Sequence, residues 1–324
     1  MEKPGHPPQL TPPVLLLPLL LLLLTPTATA DTGDTPETGD TRFAFVQYQI
    51  DPATYQNSHT FSRDVEELIS QAVTTGAEVI VFPEYTNVFL ATIPLSSHLT
   101  PSTTLNEGLK LLQNRYGPGT TLKDFFIHRS ASVRHIMDTV WGTLAQKYTV
   151  TIVAGTAFVA APDNRLYNRL FVYTPDGAVY YTQDKAYLTP FETDIIGLDP
   201  GDPAQAQPID LQGVETGLTI CRDTFFDSWN RQFSDADLWI DLKANGTQFD
   251  AAQKENFTQA LPERISETPV ETGATVCLTG TFLHLFWEGT SSVIQSAPTP
   301  TGYTTQTKAP TDDTEHILYT DLPN

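Results

Sequence analysis

The stretch Gly217-Leu218-Thr219-Ile220-Cys221-Arg222-Asp223 decides how the rest of the chain is interpreted. Its apolar, branched residues predict a buried β-strand, and the run ends abruptly at a cysteine followed by two charged residues. Cys221 is therefore expected at the carboxyl end of a strand. In open α/β architectures ligands bind at that edge of the sheet, because the loops that leave it present chemical groups from a rigid support.

Two other segments end in the same way. Val79-Ile80-Val81-Phe82-Pro83-Glu84 is an apolar run that stops at a carboxylate, and Tyr181-Thr182-Gln183-Asp184-Lys185 stops at an amine. A free thiol is only slightly ionised at neutral pH, so a nucleophilic Cys221 needs a nearby base or cation. If the three strand ends meet, Glu84 can take the thiol proton and Lys185 can stabilise developing negative charge. The sequence thus predicts an activated thiol nucleophile.

The composition of the 324 residues limits the class of partner. Acidic residues outnumber basic ones by 38 to 18, a formal net charge of −20. Nucleic acids and anionic membrane surfaces are poor partners for such a chain, because both need clustered Lys and Arg. The 7 histidines are scattered without the paired spacing of metal ligands, and no glycine-rich phosphate loop is present. We therefore expect a small-molecule substrate and neither a metal nor a cofactor.

The N-terminal segment predicts export. An apolar run at residues 14–24 precedes Ala28-Thr29-Ala30, which has the small-x-small pattern that signal peptidase reads. The expected location is therefore secreted or periplasmic. A retained membrane anchor is the alternative, although the run is short for a bilayer span. The predicted division of the chain is a signal peptide at 1–30, a disordered leader at 31–41 and a folded domain at 42–324.

The chain contains 2 cysteines, Cys221 and Cys277. In an exported protein such a pair can form a disulfide, which is the structural alternative to a reactive thiol. Both residues lie within or at the ends of predicted core strands rather than in loops, and this favours two free thiols. On that interpretation Cys277 is a plain buried apolar residue.

The remaining pattern alternates strands with helices. An amphipathic helix with apolar residues from Val65 to Ala72 is expected, capped by Thr60 or Ser62. Residues 95–127 lack clear periodicity, which predicts a lid, a binding loop or a plain surface excursion. Pro175-Asp176-Gly177 joins two alternating runs and predicts a β-hairpin. Helices between runs of strand predict a sandwich of two sheets with helices outside.

Several blocks of the chain resemble the nitrilase, or carbon–nitrogen hydrolase, superfamily. They match in the family's order: Phe82-Pro83-Glu84, Lys185-Ala186-Tyr187-Leu188-Thr189-Pro190-Phe191-Glu192 and Thr219-Ile220-Cys221-Arg222-Asp223. The late segment Glu288-Gly289-Thr290-Ser291-Ser292-Val293-Ile294 also resembles the family's Gly-x-Ser strand. The resemblance covers most of residues 42 to about 296. It implies an α/β fold, a four-layer αββα sandwich, and members of the family usually form homodimers.

The resemblance also implies a role for each matching residue. Glu84, Lys185 and Cys221 correspond to the family's Glu-Lys-Cys triad, and the backbone N–H of Arg222 corresponds to a second oxyanion donor. Glu192 corresponds to a second glutamate that hydrogen-bonds the lysine and helps to position substrate. The family's usual Pro-Phe-Gly-Glu is one residue shorter here, and this departure bears on where Glu192 lies.

The residues after the cysteine favour an amidase-like branch of that family. True nitrilases tend to carry Trp-Glu at this point, whereas this chain has Arg222-Asp223. The expected function is an exported amidohydrolase that cleaves a non-peptide C–N bond through a thioester on Cys221. The alternatives are a nitrilase or an acyltransferase of the same superfamily, and a non-catalytic binding domain that has kept the fold.

Overall fold

A computed structural model describes residues 39–324. The predicted signal peptide and residues 31–38 of the predicted leader lie outside the described residues. Regular structure begins at Asp40, slightly before residue 42, where the folded domain is predicted to start. Within residues 39–324, no helix combines the length and hydrophobicity needed to cross a membrane.

The described part of the chain consists mainly of strands joined by helices and short helical turns. The strands are β1 (Asp40–Ile50), β2 (Val79–Val81), β3 (Thr151–Ala160), β4 (Leu166–Tyr173), β5 (Val179–Asp184), β6 (Ile209–Leu211), β7 (Val214–Ile220), β8 (Leu238–Lys243), β9 (Thr272–Phe282), β10 (Leu285–Trp287), β11 (Ser292–Ser296), β12 (Tyr303–Lys308) and β13 (His316–Pro323). The α-helices are α1 (Ser58–Thr74), α2 (Leu105–Tyr116), α3 (Leu122–Tyr148), α4 (Ala251–Thr258) and α5 (Leu261–Glu267).

The strands form two sheets that share β1. One sheet has the order β5-β4-β3-β2-β1-β13, and the other contains β9, β8, β7 and β6, with β11 and β12 paired beside β9. Residues 43–45 of β1 pair with β2, whereas Tyr48–Ile50 at its end pair with β9. The predicted hairpin is confirmed, because β4 and β5 pair antiparallel across Pro175-Asp176-Gly177.

The strands are buried on both faces, which explains their apolar character. In β1, Phe43 and Phe45 belong to the apolar layer between the sheets, while the intervening Ala44 packs with the helices. In β8, Ile240 faces the layer between the sheets and Trp239 faces the opposite helical layer. Strands covered on both sides become nearly continuous apolar runs, as seen around Cys221.

Helices cover the outer face of each sheet. Phe61 of α1 and Trp141 of α3 pack edge to face over the first sheet, with ring centroids 5.7 Å apart. Leu261 and Ile265 of α5 pack against Trp239 of the second sheet. The layers are therefore helix, sheet, sheet and helix, and the predicted four-layer αββα sandwich is confirmed.

Two local predictions about helices are wrong. Asn57, rather than Thr60 or Ser62, caps α1: its side chain accepts a hydrogen bond from the N–H of Thr60 at 2.9 Å, and the Thr60 hydroxyl accepts one from the N–H of Asn57. Several neighbouring polar residues could each cap a helix, and periodicity does not choose among them. Residues 95–127, predicted to be a lid, a binding loop or a surface excursion because they lack clear periodicity, instead contain regular helices: a 3-10 helix, Val88–His98, leads into α2 and the start of α3.

Strand direction brings the three predicted strand ends to one edge. β1 is parallel to both β2 and β9, and β9 is parallel to β8, which is parallel to β7. β5 follows two antiparallel reversals after β3, and β3 is parallel to β2, so β5 also runs in the common direction. The carboxyl ends of β2, β5, β7 and β8 therefore lie at the same side of the molecule.

Candidate active site

Glu84 lies just beyond β2, where Pro83 ends the strand, and it is fully buried. Its Oε1 accepts hydrogen bonds from Lys185 Nζ and Asn168 Nδ2, both at 2.8 Å, and its Oε2 accepts one from the N–H of Ala244 at 2.9 Å. Burial raises the pKa of Glu84 to about 6, against the lowering effect of Lys185. A carboxyl group with that pKa is mostly ionised at neutral pH and can both accept and return a proton.

Lys185 follows β5 and is only 1% exposed. Its Nζ donates to Glu84 at 2.8 Å and to Glu192 at 2.9 Å. Burial acts to lower the pKa of Lys185, but the charges of Glu84 and Glu192 outweigh it and hold that pKa well above its ordinary value. Lys185 is thus a fixed cation, and two of the three N–H donors of its ammonium are used by carboxylates.

Glu192 lies in a short π-helical turn, Phe191–Ile196, directly after the lysine segment. Its Oε1 accepts from Lys185 and, at 2.8 Å, from the hydroxyl of Tyr85, while its Oε2 accepts from the N–H of Thr189 at 2.8 Å. Burial acts to raise the pKa of Glu192, but Lys185 and the Thr189 N–H outweigh it, so that pKa is lowered. The shortened Pro-Phe-Glu block therefore still brings this second carboxylate to the lysine.

Cys221 directly follows β7, at the wall of a cavity of about 700 Å³ that Lys185 also lines. Its φ is +56°, in the left-handed region that residues other than glycine seldom adopt, and Tyr85, beside Glu84, has a φ of +66°. Backbone strain of this kind clusters at functional sites. Burial and the charge of Glu84 raise the pKa of Cys221 to about 12, against the effects of Lys185 and Lys243. The resting thiol is therefore protonated.

Asp241 and Lys243, on one face of β8, bind the N–H and the carbonyl group of Cys221. The N–H of Cys221 donates to Asp241 Oδ1 at 3.2 Å, and Lys243 Nζ donates to the carbonyl of Cys221 at 3.2 Å. The two side chains form a buried ion pair at 2.7 Å. Burial raises the pKa of Asp241 in spite of Lys243. Burial acts to lower the pKa of Lys243, but Asp241 outweighs it and that pKa is raised.

Sequence reasoning missed this ion pair, and it also missed Asn168. Asn168 is fully buried in β4 and donates to Glu84 at 2.8 Å and to Glu192 at 3.1 Å. The sequence signal that could have identified these residues is a polar side chain at a position of an apolar strand that is expected to face inward. Asp241 and Lys243 have opposite charges and are two residues apart, so they share a face of the strand, and buried charges need partners. This spacing predicts an ion pair but not its contact with Cys221.

Arg222 lies in a 3-10 turn, Cys221–Phe225, and lines the same cavity as Cys221. Backbone N–H groups in the first turn of a helix lack partners within that helix, so this position suits the oxyanion donor that the sequence predicts. The guanidinium group donates to the carbonyl of Leu188 and lies over the ring of Phe226, 5.8 Å from its centroid.

Asp223 connects the lysine segment to the cysteine turn. Its Oδ1 accepts from the N–H groups of Ala186 at 3.1 Å and Tyr187 at 2.8 Å, and its Oδ2 accepts from the N–H of Ile220 at 3.3 Å. Burial raises the pKa of Asp223 to about 8, against the lowering effect of these N–H groups. The side chain of Asp223, next to Arg222, therefore has a positioning role between the two segments.

Both cysteines are free thiols, so the alternative of a disulfide does not apply. Cys277 is 1% exposed in β9, as the sequence predicts. Its N–H donates to Ser291 Oγ at 2.9 Å, and a Cβ atom added to Gly289 would lie 3.0 Å from its sulfur. The Gly-x-Ser segment therefore packs closely on Cys277.

The site thus places a thiol and a fixed cation at the wall of one cavity, and behind that wall two carboxylates, one of them the proton acceptor, are hydrogen-bonded to the cation. Within residues 39–324, no group of three His, Cys, Asp or Glu side chains is arranged to hold a metal ion. A thiol with an adjacent base and cation can attack an electrophilic carbon and stabilise the negative charge that develops there. The arrangement is therefore suited to covalent catalysis at a carbonyl or nitrile carbon.

Solved structures share this fold at low sequence identity. An amidase from Nesterenkonia sp. is 17% identical with a TM-score of 0.60, over 88% of this chain and 91% of the amidase. Nit3 from Saccharomyces cerevisiae, a member of branch 10 of the nitrilase superfamily, is 18% identical with a TM-score of 0.61, over 88% and 90%. A carbon-nitrogen hydrolase from Helicobacter pylori G27 is 16% identical with a TM-score of 0.64, over 88% and 90%. These likenesses show the fold.

The sequence itself identifies the family. A comparison with curated proteins finds no match. The family model of the carbon-nitrogen hydrolases matches residues 42–249, which is more than half of the chain and includes Glu84, Lys185 and Cys221. The chain belongs to the carbon-nitrogen hydrolase family, within the nitrilase superfamily.

Proposed function

We propose that this protein is an exported amidohydrolase that cleaves the C–N bond of a small linear amide through a thioester on Cys221. The observation that carries the proposal is that Cys221 and Lys185 line one cavity while Glu84, hydrogen-bonded to Lys185, lies beside Cys221 behind its wall. Structures of mutants of the amidase from Nesterenkonia sp. AN1 support it by analogy: one shows acrylamide added at the active-site cysteine and another the acetamide moiety of fluoroacetamide.

In the first half of the reaction, the sulfur of Cys221 attacks the amide carbon. Glu84 accepts the thiol proton as the S–C bond forms, because its pKa of about 6 leaves it ionised at neutral pH. The carbonyl oxygen becomes an oxyanion, which Lys185 and the backbone N–H of Arg222 stabilise. Glu84 then returns the proton to the nitrogen, the C–N bond breaks, and ammonia or an amine leaves.

In the second half, water hydrolyses the thioester. Glu84 takes a proton from the water, whose oxygen attacks the thioester carbon, and the sulfur departs and is reprotonated to regenerate Cys221. The carboxylic acid is released. Glu192 holds Lys185 by a 2.9 Å hydrogen bond throughout, so the cation stays aimed at the oxyanion while Glu84 changes charge.

Three further proposals concern the protein's location, its assembly and its substrate. The signal-like sequence at residues 1–30 supports export to a secreted or periplasmic location. Family resemblance supports a homodimer. The Arg222-Asp223 pair, in place of Trp-Glu, supports amides over nitriles as substrates.

The test is ammonia release from a panel of primary amides, with the corresponding nitriles as a second panel. We expect the mature protein to hydrolyse amides and Cys221→Ala to be inactive. Cys277→Ala is the matched control, because Cys277 is a buried thiol outside the reaction, and it should stay active. Intact-mass analysis of Glu84→Gln should reveal an acyl group on Cys221 or no reaction. Equal ammonia release by the wild type and Cys221→Ala would refute the proposal.

A further inference from the structure

The cavity at Cys221 contrasts in charge with the rest of the protein. The chain has 38 acidic and 18 basic residues, yet no aspartate or glutamate is among the described residues that line this cavity. Three cationic residues line it: Lys185, Arg222 and Lys243. A substrate that enters it therefore meets cations and no lining carboxylate.

Two of these three cations are already neutralised by carboxylates behind the cavity wall. Lys185 contacts Glu84 and Glu192, and Lys243 lies 2.7 Å from Asp241. Arg222 differs, because within residues 39–324 no carboxylate lies within ion-pair distance of its guanidinium group. Its positive charge is therefore available to a ligand.

The guanidinium group of Arg222 is also held in place. It donates to the carbonyl of Leu188 and lies over the ring of Phe226, which stacks on the ring of Tyr187 at a centroid distance of 3.7 Å and an angle of 9°. The N–H of Tyr187 is fixed in turn by Asp223. An arginine held on an aromatic platform loses little further freedom when its remaining N–H donors bind a carboxylate.

We propose that Arg222 forms a carboxylate-binding subsite, and that the substrate is an amide that carries its own carboxylate. The proposal rests on the proposed amidohydrolase function and specifies its substrate class. Because Arg222 directly follows Cys221, the carboxylate binds in the same cavity as the scissile amide, so the substrate is compact. Planar, bidentate hydrogen bonding makes arginine the side chain best matched to a carboxylate.

The first test measures binding without turnover, so it does not depend on hydrolysis. Succinamate and its neutral isostere 4-oxopentanamide are titrated into Cys221→Ala by calorimetry, with the cationic 4-aminobutanamide as a third probe. We expect succinamate to bind about 10- to 100-fold more tightly than 4-oxopentanamide, the ratio typical of charge-assisted hydrogen bonds. Adding Arg222→Met should bring this ratio close to one. Arg231→Met, which changes an exposed arginine outside the cavity, should leave the ratio unchanged.

The second test compares kcat/KM for the same amides in the enzyme with Cys221 intact. N-propionylglycine, which carries its carboxylate on the amine side of the amide, is included with its neutral methyl ketone analogue. A higher kcat/KM for N-propionylglycine than for this analogue would place the substrate carboxylate on the amine side. A higher kcat/KM for succinamate than for 4-oxopentanamide would place it on the acyl side. Arg222→Lys should keep part of the preference. Equal binding of the three probes, a preference for 4-aminobutanamide, or a ratio that survives Arg222→Met would overturn the subsite. Binding of succinamate without any hydrolysis would support the subsite and contradict the amidase.

Discussion

Replacing Lys243 by Met would remove the cation that lies against the backbone of the nucleophile. Lys243 Nζ is 2.7 Å from Asp241 Oδ2, and the two side chains are 2% and 0% exposed. The chain contains a matched control in Lys123, whose Nζ is also 2.7 Å from a carboxylate, Asp199, although these side chains are 33% and 28% exposed. The two pairs share distance and chemistry and differ mainly in burial.

The difference in burial between the two ion pairs sets the expected difference in unfolding free energy between Lys243→Met and Lys123→Met. Removing one partner of a buried ion pair leaves an uncompensated charge and costs about 3–5 kcal/mol of unfolding free energy. Removing one partner of a pair that remains in contact with solvent costs about 0.2–1 kcal/mol. At roughly 2–4 °C per kcal/mol for a domain approaching this size, Lys243→Met should lower Tm by about 6–20 °C and Lys123→Met by at most about 4 °C.

The assay combines unfolding with thiol chemistry. Unfolding free energies come from urea titrations. The rate of alkylation of Cys221 as a function of pH reports its pKa, which should rise in Lys243→Met because Lys243 acts to lower it. In the double variant Asp241→Asn, Lys243→Met, the loss should be smaller than the sum of the single losses, because no lone charge remains. Equal costs for Lys243→Met and Lys123→Met, or additive costs in the double variant, would refute the reasoning.

Three other predictions concern the carboxylates of the site. The acid limb of the kcat/KM profile should have an apparent pKa near 6, because Glu84 must be ionised to act as the base and activity rises as pH increases through its pKa; a limb below pH 5 would contradict this role. Glu192→Gln should shift that limb to lower pH, because the charge of Glu192 helps to raise the pKa of Glu84, and a shift upward would be the opposite result. Above pH 8, where Asp223 is ionised, Asp223→Asn should lower the unfolding free energy in urea by about 1–3 kcal/mol and also reduce kcat, because an amide nitrogen would face the N–H of Ile220 or of Tyr187; unchanged stability would argue against this contact.

The accuracy of the sequence predictions depended on how local each signal was. The strand ending at Cys221 and the β4–β5 hairpin were predicted correctly, because an apolar run and Pro175-Asp176-Gly177 are complete within a few residues. The cap of α1 was assigned to the wrong residue, since Asn57, Thr60 and Ser62 are all suitable and only the backbone path selects among them. The helical pieces within residues 95–127 were too short to show a clear period.

The residues of the site likewise divide into those that local sequence signals identified and those that they did not. Glu84, Lys185 and Cys221 could be singled out because each follows a recognisable strand and belongs to a family block. Glu192 was placed in doubt by the missing residue in its block, and the structure shows that the π-helical turn brings it to Lys185. Asn168 lies inside a strand and in no block, so its polarity at an inward position shows only that it needs a buried partner and does not identify Glu84 or Glu192 as that partner.

The sequence by itself determined the strands, the residues at their ends and the family, because apolar runs, chain-breaking residues and motif blocks are each written within a few consecutive positions. Only the tertiary structure decided which polar groups meet. Glu84 and Lys185 are 101 positions apart, and Asp241 and Lys243 reach the peptide groups of Cys221 from a neighbouring strand. Those contacts follow from the pairing of distant strands in a common direction. Among residues 39–324, the same pairing left Arg222 without a carboxylate partner, a fact about its surroundings that residue type alone does not encode.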